Sequence, residues 1–210
     1  MSARRFSITI PTRRPFKNVF QFKITLLETN PPIWRRIQVP ESYSFYDLHV
    51  AIQNSMGWLD YHLHMFKMED WRPKGKKVLI DCPFGDLEFD RENYYLTTET
   101  ALKRFFKKVN DRAYYTYDFG DGWDHEIILE KIMSHVPKKS YPVCVDGELS
   151  CPPEDCGGVS GYYDCVSVLA NRDNRSGLLD WLEKWLPDDF DPKKVKFESP
   201  RRRLKRALAD

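Results

Sequence analysis

The sequence has no run approaching the roughly 18 apolar residues that a membrane-crossing helix needs. That argues against a helical membrane protein. It has no Cys-x-x-Cys pair, no Gly-x-Ser-x-Gly elbow and no phosphate-binding loop. A thioredoxin-type redox pair, an α/β-hydrolase nucleophile and a P-loop nucleotide site are therefore not expected. Two Arg pairs open the chain, but no apolar stretch follows either, so an export signal is not expected. The cysteines number five: Cys82, Cys144, Cys151, Cys156 and Cys165. An odd count outside a small secreted framework points to a reducing compartment, and the expected location is the cytoplasm.

What is present can build a core. Hydrophobic residues make up 41% of the 210, and aromatics alone make up 14%, which excludes a wholly disordered chain. Large flat side chains must supply much of the burial. The net charge of +2 is unevenly spread: residues 1–18 carry +5 and residues 192–210 carry +6, so the span between carries −9. We divide the chain into a basic arm at 1–18, one domain at 19–198 and a basic tail at 199–210. Basic ends suit phosphate or an acidic partner, although charge runs are commonly just solvated.

Periodicity places the elements. Phe20, Phe22, Ile24 and Leu26 alternate with polar residues, and Ile33, Arg35, Ile37 and Val39 alternate again after Pro31-Pro32. That is a hairpin of half-buried strands. Phe45, Leu48, Ile52 and Met56 form a helical stripe, opened by Ser44 with Asp47 as a capping box and closed by Gly57. Strands are expected at 62–68, 112–119 and 123–132, with a short one at 78–80. Helices are expected at 99–108 (capped by Thr98), 162–169 and 176–186, and a short basic one at 200–209. The expected fold is α+β: an antiparallel sheet of about five strands with three or four helices packed on one side.

Three constellations carry candidate chemistry. The turn at 117–126 crowds Asp118, Asp121, Asp124 and Glu126 around His125. Crowded carboxylates call for a cation or buried donors, and oxygen ligands with one imidazole suit Mg, Mn, Zn or Fe. The competing reading is a hairpin turn in which Asp side chains bond the backbone. His62 and His64 stand at i, i+2 on a strand and share a face, as two ligands of one metal would. Cys144, Cys151 and Cys156 fall within thirteen residues of a Pro- and Gly-rich loop. They are candidates for a structural zinc with Cys165 or His125 as fourth ligand, or for small buried thiols. In the tail, Arg201, Arg202, Arg203, Lys205 and Arg206 are candidates for non-specific phosphate contact.

Taken in order, several segments carry a resemblance. They are Phe22–Leu26 with Pro31-Pro32-Ile33-Trp34-Arg35-Arg36, the helix ending at Trp58, His62-Leu63-His64-x-Phe66, Tyr117–His125, Cys151–Gly158 with Gly161-Tyr162, and Phe190-Asp191-Pro192. Together they resemble the plasmid pRiA4b ORF-3-like family over residues 19–197. The resemblance implies an α+β domain in mobile-element biology and supplies no reaction. It also suggests that the His62/His64 strand, the 118–125 turn and the 151–158 loop converge on one face.

Two classes of function follow. The first is a binding or scaffold module engaging a protein or nucleic acid through basic termini and aromatic surface. The second is a metal-dependent hydrolase or nuclease, with Asp118, Asp121 and His125 holding a divalent cation and Glu126 or Asp155 as base. A structural zinc on the cysteines without chemistry is a third reading. No other cofactor is expected.

Overall fold

The computed structural model describes residues 8, 15–68, 78–84, 94–172, 179–180, 182 and 190–209. One sheet organises them. Its strands are β1 (Asn18–Leu26), β2 (Trp34–Pro40), β3 (His64–Met68), β4 (Val78–Asp81), β5 (Tyr94–Leu96), β6 (Arg112–Tyr117), β7 (Trp123–Ser134) and β8 (Val143–Glu148). The order across the sheet is β5-β4-β3-β6-β7-β1-β2-β8. The α+β class expected from sequence holds, but the sheet has eight strands rather than five, and β4 pairs with β5 in parallel. The extra strands left little trace in the pattern. β5 is three residues long, and β8 follows Pro142, contains Gly147 and meets β2 through a register shift at Arg36/Ile37. Both lie at the sheet's edges, where propensity and alternation are weakest.

Alternation decides which face is covered. Phe20, Phe22, Ile24 and Leu26 of β1, Ala113, Tyr115 and Tyr117 of β6, and Trp123, His125, Ile127 and Leu129 of β7 are buried together. Their neighbours in sequence, such as Lys23, Thr116, Asp124 and Glu126, lie on the other face and are half-buried or exposed. Helix α1 (Phe45–Met56) is capped as the sequence predicts. Ser44 and Asp47 bond reciprocally, and Gly57 closes the helix in the left-handed conformation at φ 92°. Phe45, Leu48 and Ile52 of α1 belong to the same buried cluster as the covered face.

The helix expected at 99–108 is not formed; only Leu102–Arg104 wind into a 3-10 turn. The reason lies at the start of α1. Its first amides need acceptors, and the Phe45 and Tyr46 N–H groups donate to the Thr100 and Thr97 carbonyls. A helix over 99–108 would have spent the Thr100 carbonyl internally, on the amide four residues on. The Pro- and Gly-rich stretch read as a loop around Cys144, Cys151 and Cys156 contains β8, and helix α2 (Gly158–Asn171) starts earlier than predicted. The helix expected at 176–186 lies mostly outside the described residues. The basic tail forms helix α3 (Pro200–Ala207), whose Leu204 is fully buried beside Tyr46 and Val50 of α1.

Candidate functional site

Of the polar residues singled out in the sequence, His62, Asp118, Asp121 and Asp155 meet at the end of the sheet where β3 begins and β6 ends. The Asp118 N–H donates to the Leu63 carbonyl, joining the two segments. Asp118 adopts a left-handed backbone at φ 55°, and its Oδ1 accepts from the Gly120 and Asp121 amides at 2.9 and 3.3 Å. This is the hairpin-turn chemistry that Asp and Gly favour. It occupies one carboxylate oxygen and leaves Oδ2 directed elsewhere.

The 151–158 loop docks onto this turn. Asp121 Oδ2 accepts the Gly157 N–H at 3.1 Å. A Cβ on Gly158 would stand 2.5 Å from the Asp121 carbonyl oxygen, and Gly158 has φ 70°, so only glycine fits that approach. Deeper in, Glu154 is 5% exposed. Its Oε1 accepts from the Tyr117 hydroxyl at 2.7 Å and from the Leu59 amide at 2.9 Å. The Tyr117 oxygen accepts the Tyr61 N–H at 3.1 Å. Burial and then Glu154 push the Tyr117 phenol well above its ordinary range, so it keeps its proton. Trp58 stacks on Tyr117 with centroids 5.2 Å apart and donates its indole N–H to the Pro152 carbonyl at 2.9 Å.

On this support sits an outer cluster of His62, Asp118 and Asp155. His62 Nε2 lies 2.9 Å from Asp155 Oδ1 and 3.6 Å from Asp118 Oδ2. Despite those distances the nitrogen has no aligned hydrogen bond and little solvent contact. The contact is therefore one of proximity. Ligands about 2.1 Å from a tetrahedral cation sit about 3.4 Å from one another, and the two distances bracket that value. All three donor atoms fall within 4.8 Å of one another. Two carboxylates and one imidazole suit Zn, Mn or Fe(II).

An inner cluster lies behind it. The His49 and His64 rings stack with centroids 3.5 Å apart and an interplanar angle of 10°. His49 Nδ1 lies 2.8 Å from the Tyr115 hydroxyl and Nε2 lies 2.7 Å from Asp60 Oδ1. Burial raises the Tyr115 phenol well above its ordinary value, so Tyr115 keeps its proton. Asp60 can only accept, so the hydrogen it shares with His49 is carried on Nε2. The Gln53 amide donates to the Tyr115 oxygen at 3.1 Å. Burial works against the Asp60 charge, but His49 and Arg203 together hold its carboxyl below the usual value. Desolvation drives His64 well below the usual imidazole range, so it is neutral, and its Nε2 has no partner.

His49, Asp60 and His64 are also within metal-ligand reach of one another, but their orientation does not suit a shared ion. Stacked rings hold their lone pairs in parallel planes, so one cation cannot lie in the plane of both at bonding distance. Both His49 nitrogens are already engaged, and Arg203 stands 3.5 Å from Asp60 Oδ2. This cluster is a buried bonded group in which His49 joins Tyr115 to Asp60. A cavity of about 280 Å³ borders both groups, lined in part by His49, Asp60, His62, His64, Tyr61 and Phe84.

The family profile described as Plasmid pRiA4b ORF-3-like protein matches residues 18–199. The chain belongs to the plasmid pRiA4b ORF-3-like family. Within the family's reach, the uncharacterized protein y4hQ of Sinorhizobium fredii (strain NBRC 101917 / NGR234) is 32% identical over 169 residues, covering 78% of this chain and 80% of that one. The crystal structure of MM3350, a protein of unknown function from Methanosarcina mazei Go1, superposes with a TM-score of 0.72 at 38% identity, covering 87% of this chain and all of that one. These likenesses fix fold and family for this ORF-3-like domain and carry no reaction.

The remaining sequence candidates fall in separate places. His125 is fully buried in the core, where its Nδ1 lies 3.0 and 3.3 Å from the Trp123 and Tyr115 carbonyls. Asp121 serves the Gly157 amide. Glu126 pairs with Arg112 on the opposite sheet face. Cys144 is on β8, Cys151 lies against Arg35 and Met56, and Cys156 lies near Cys165 at α2. Burial pushes the Cys144 and Cys156 thiols up to about 11 and about 12. Among the described residues, no group of three ligands within bonding reach contains a cysteine. In α3, Arg203 is buried and bonds Glu198 at 2.9 Å, and Arg206 joins Glu198 at 3.2 Å. Arg201, Arg202 and Lys205 face solvent. Among the described residues no helix is long and apolar enough to cross a membrane.

Sequence reasoning missed His49, Asp60 and the inward role of Arg35. The signal was present: a polar residue at i+4 from Phe45 on an apolar helix face, and an Arg in phase with Ile33, Ile37 and Val39.

Proposed function

We propose that this domain is a metal-dependent hydrolase whose divalent cation is held by His62 Nε2, Asp155 Oδ1 and Asp118 Oδ2. The observation that carries the reading is the His62 nitrogen, set at ion-pair distance from two carboxylates without an aligned hydrogen bond. Three protein ligands leave coordination positions for water and substrate, the pattern of catalytic rather than closed structural sites. A cation there supplies Lewis acidity and a water that ionises near neutral pH. Glu126, on the far face of the sheet, has no part in it. Asp155 is assigned as a ligand rather than as the base.

The test is metal content. Protein purified without chelator or affinity metal, stripped and reloaded, should take up about one equivalent of zinc, manganese or iron. His62→Gln and Asp155→Asn should each lose it while keeping the wild-type far-ultraviolet spectrum. Undiminished uptake in both variants, or no uptake by the wild type, overturns the proposal.

A second reading rests on a different observation. Leu59, Tyr61, Leu63 and Phe119 flank the ligand-bearing segments, and Tyr61 is 71% exposed. Exposed apolar side chains gathered at one end of a domain favour a binding module that engages a partner there.

A further inference from the structure

The covered face of the sheet holds a charge that the chain leaves uncompensated. Arg35 of β2 is 1% exposed. Its Nε donates to the Ser55 carbonyl at 2.8 Å, its Nη1 to the Trp34 and Glu148 carbonyls at 2.8 and 2.9 Å, and its Nη2 to Cys151 Sγ at 3.2 Å. Every acceptor is neutral, the thiol included, because burial keeps it protonated against the pull of the guanidinium. Phe190 covers the guanidinium plane at 3.6 Å. No carboxylate among the described residues pairs with Arg35. A buried cation without a counter-charge costs several kcal/mol, and carbonyl dipoles and a ring face soften that cost without neutralising the charge. A guanidinium has five N–H groups; four are used, so one on Nη2 has no acceptor.

Arg35 and Cys151 also line a cavity of about 240 Å³, together with Asn54, Ser150, Trp58 and Lys194. Asp191 is on its wall too, but it is occupied in part, its Oδ1 accepting the Lys193 amide at 2.9 Å. A liquid water takes about 30 Å³, so the space admits a tetrahedral oxyanion with some of its hydration. We infer that this cavity is an oxyanion site, in which a phosphate or carboxylate group supplies the counter-charge that Arg35 lacks, with Lys194 at the mouth. The one free N–H on Nη2 offers either group a charge-assisted hydrogen bond, and a guanidinium keeps its charge at any working pH. The inference is independent of the metal reading, since none of the three proposed ligands lines this cavity.

The experiment is thermal unfolding and calorimetric titration in the presence of chelator, with inorganic phosphate, sulfate and acetate against chloride at equal ionic strength. A saturable upward shift in Tm with phosphate and sulfate marks a tetrahedral anion; a larger shift with acetate marks a carboxylate. Lys194→Glu, an exposed position, should weaken binding roughly ten-fold. Arg35→Met should abolish it; if that variant does not fold, Lys194→Glu decides alone. His62→Gln should bind anion like the wild type. Curves that superpose on chloride overturn the inference, as does affinity unchanged by Lys194→Glu. Rapid alkylation of Cys151 at neutral pH with no anion effect also overturns it, because the thiolate would then be the missing counter-charge.

Discussion

His125 should make the fold acid-sensitive in a way that one substitution can isolate. Its ring is fully buried, with Nδ1 facing two backbone carbonyls that can only accept, so Nδ1 carries the hydrogen and Nε2 keeps a bare lone pair. Desolvation lowers its pKa to about 4. In the unfolded chain the imidazole titrates near 6.5. Between those values the unfolded state binds a proton that the folded state refuses, so stability falls as pH drops from about 6.5 to about 4 and levels off below. Each pH unit in that window is worth about 1.4 kcal/mol for one proton, so the full effect is about 3 kcal/mol. His125→Asn keeps an N–H near the Nδ1 position and removes the titration. Urea unfolding followed by Trp fluorescence, at steps from pH 7.5 to pH 4, measures both proteins. His64, also depressed by burial, contributes to both curves, so the wild type minus the variant is the informative quantity. The wild type should lead at neutral pH and lose about 3 kcal/mol of that lead by pH 4. Parallel curves would refute the assignment of His125 as a buried neutral imidazole.

Other substitutions probe the supports. Gly158→Ala brings a Cβ within 2.5 Å of the Asp121 carbonyl at a positive φ; it should cost about 1–3 kcal/mol and weaken metal uptake, read by unfolding and metal titration. Leu204→Ala empties a fully buried contact with Tyr46 and Val50 and should cost about 2–5 kcal/mol in urea. Gly147→Ala sets a Cβ 2.4 Å from the Phe190 ring; Phe190 must leave the Arg35 face, losing about 2 kcal/mol of cation–π contact and lowering Tm. Tyr117→Phe strips a hydroxyl bonded to Glu154 and Tyr61. It should cost about 1–3 kcal/mol and speed amide exchange across 151–157, with unchanged exchange the contrary result.

Local rules were legible wherever one element settled its own ends. Ser44, Asp47 and Gly57 set α1 because caps depend on a few neighbouring residues. The alternation in β1 and β2 even placed Arg35 in phase with Ile33, Ile37 and Val39, without revealing what its buried guanidinium bonds. Proximity in sequence misled where the period is two. Asp124, His125 and Glu126 adjoin in the chain, yet His125 enters the core while its neighbours face the other way. Cys144 and Cys151 are seven apart, but an extended strand advances about 3.3 Å per residue, and β8 carries Cys144 away from the loop. The basic tail hid a similar division, since a run of arginines does not show that one turn of helix sends Arg203 inward to Glu198 and Asp60.

The three ligand candidates belong to three segments that no sequence period relates, so what places them must lie in other residues. Asp118 is fixed by the amides its own Oδ1 accepts, which is why its second oxygen is free to face His62. Asp155 follows directly after Glu154, whose buried carboxylate ties the loop to Leu59 and Tyr117. His62 follows Tyr61, whose amide is tied to the same Tyr117 hydroxyl. One phenol and one carboxylate thus hold two of the three segments from beneath, and the Asp121–Gly157 bond holds the third against the loop. Burying such polar groups costs free energy unless each is paired. A chain selected only for a stable core would place apolar residues there. Supports buried and bonded beneath a His62 nitrogen that has no aligned hydrogen bond are what a preorganised site requires, and the outer cluster is therefore the place where the proposed function is to be tested.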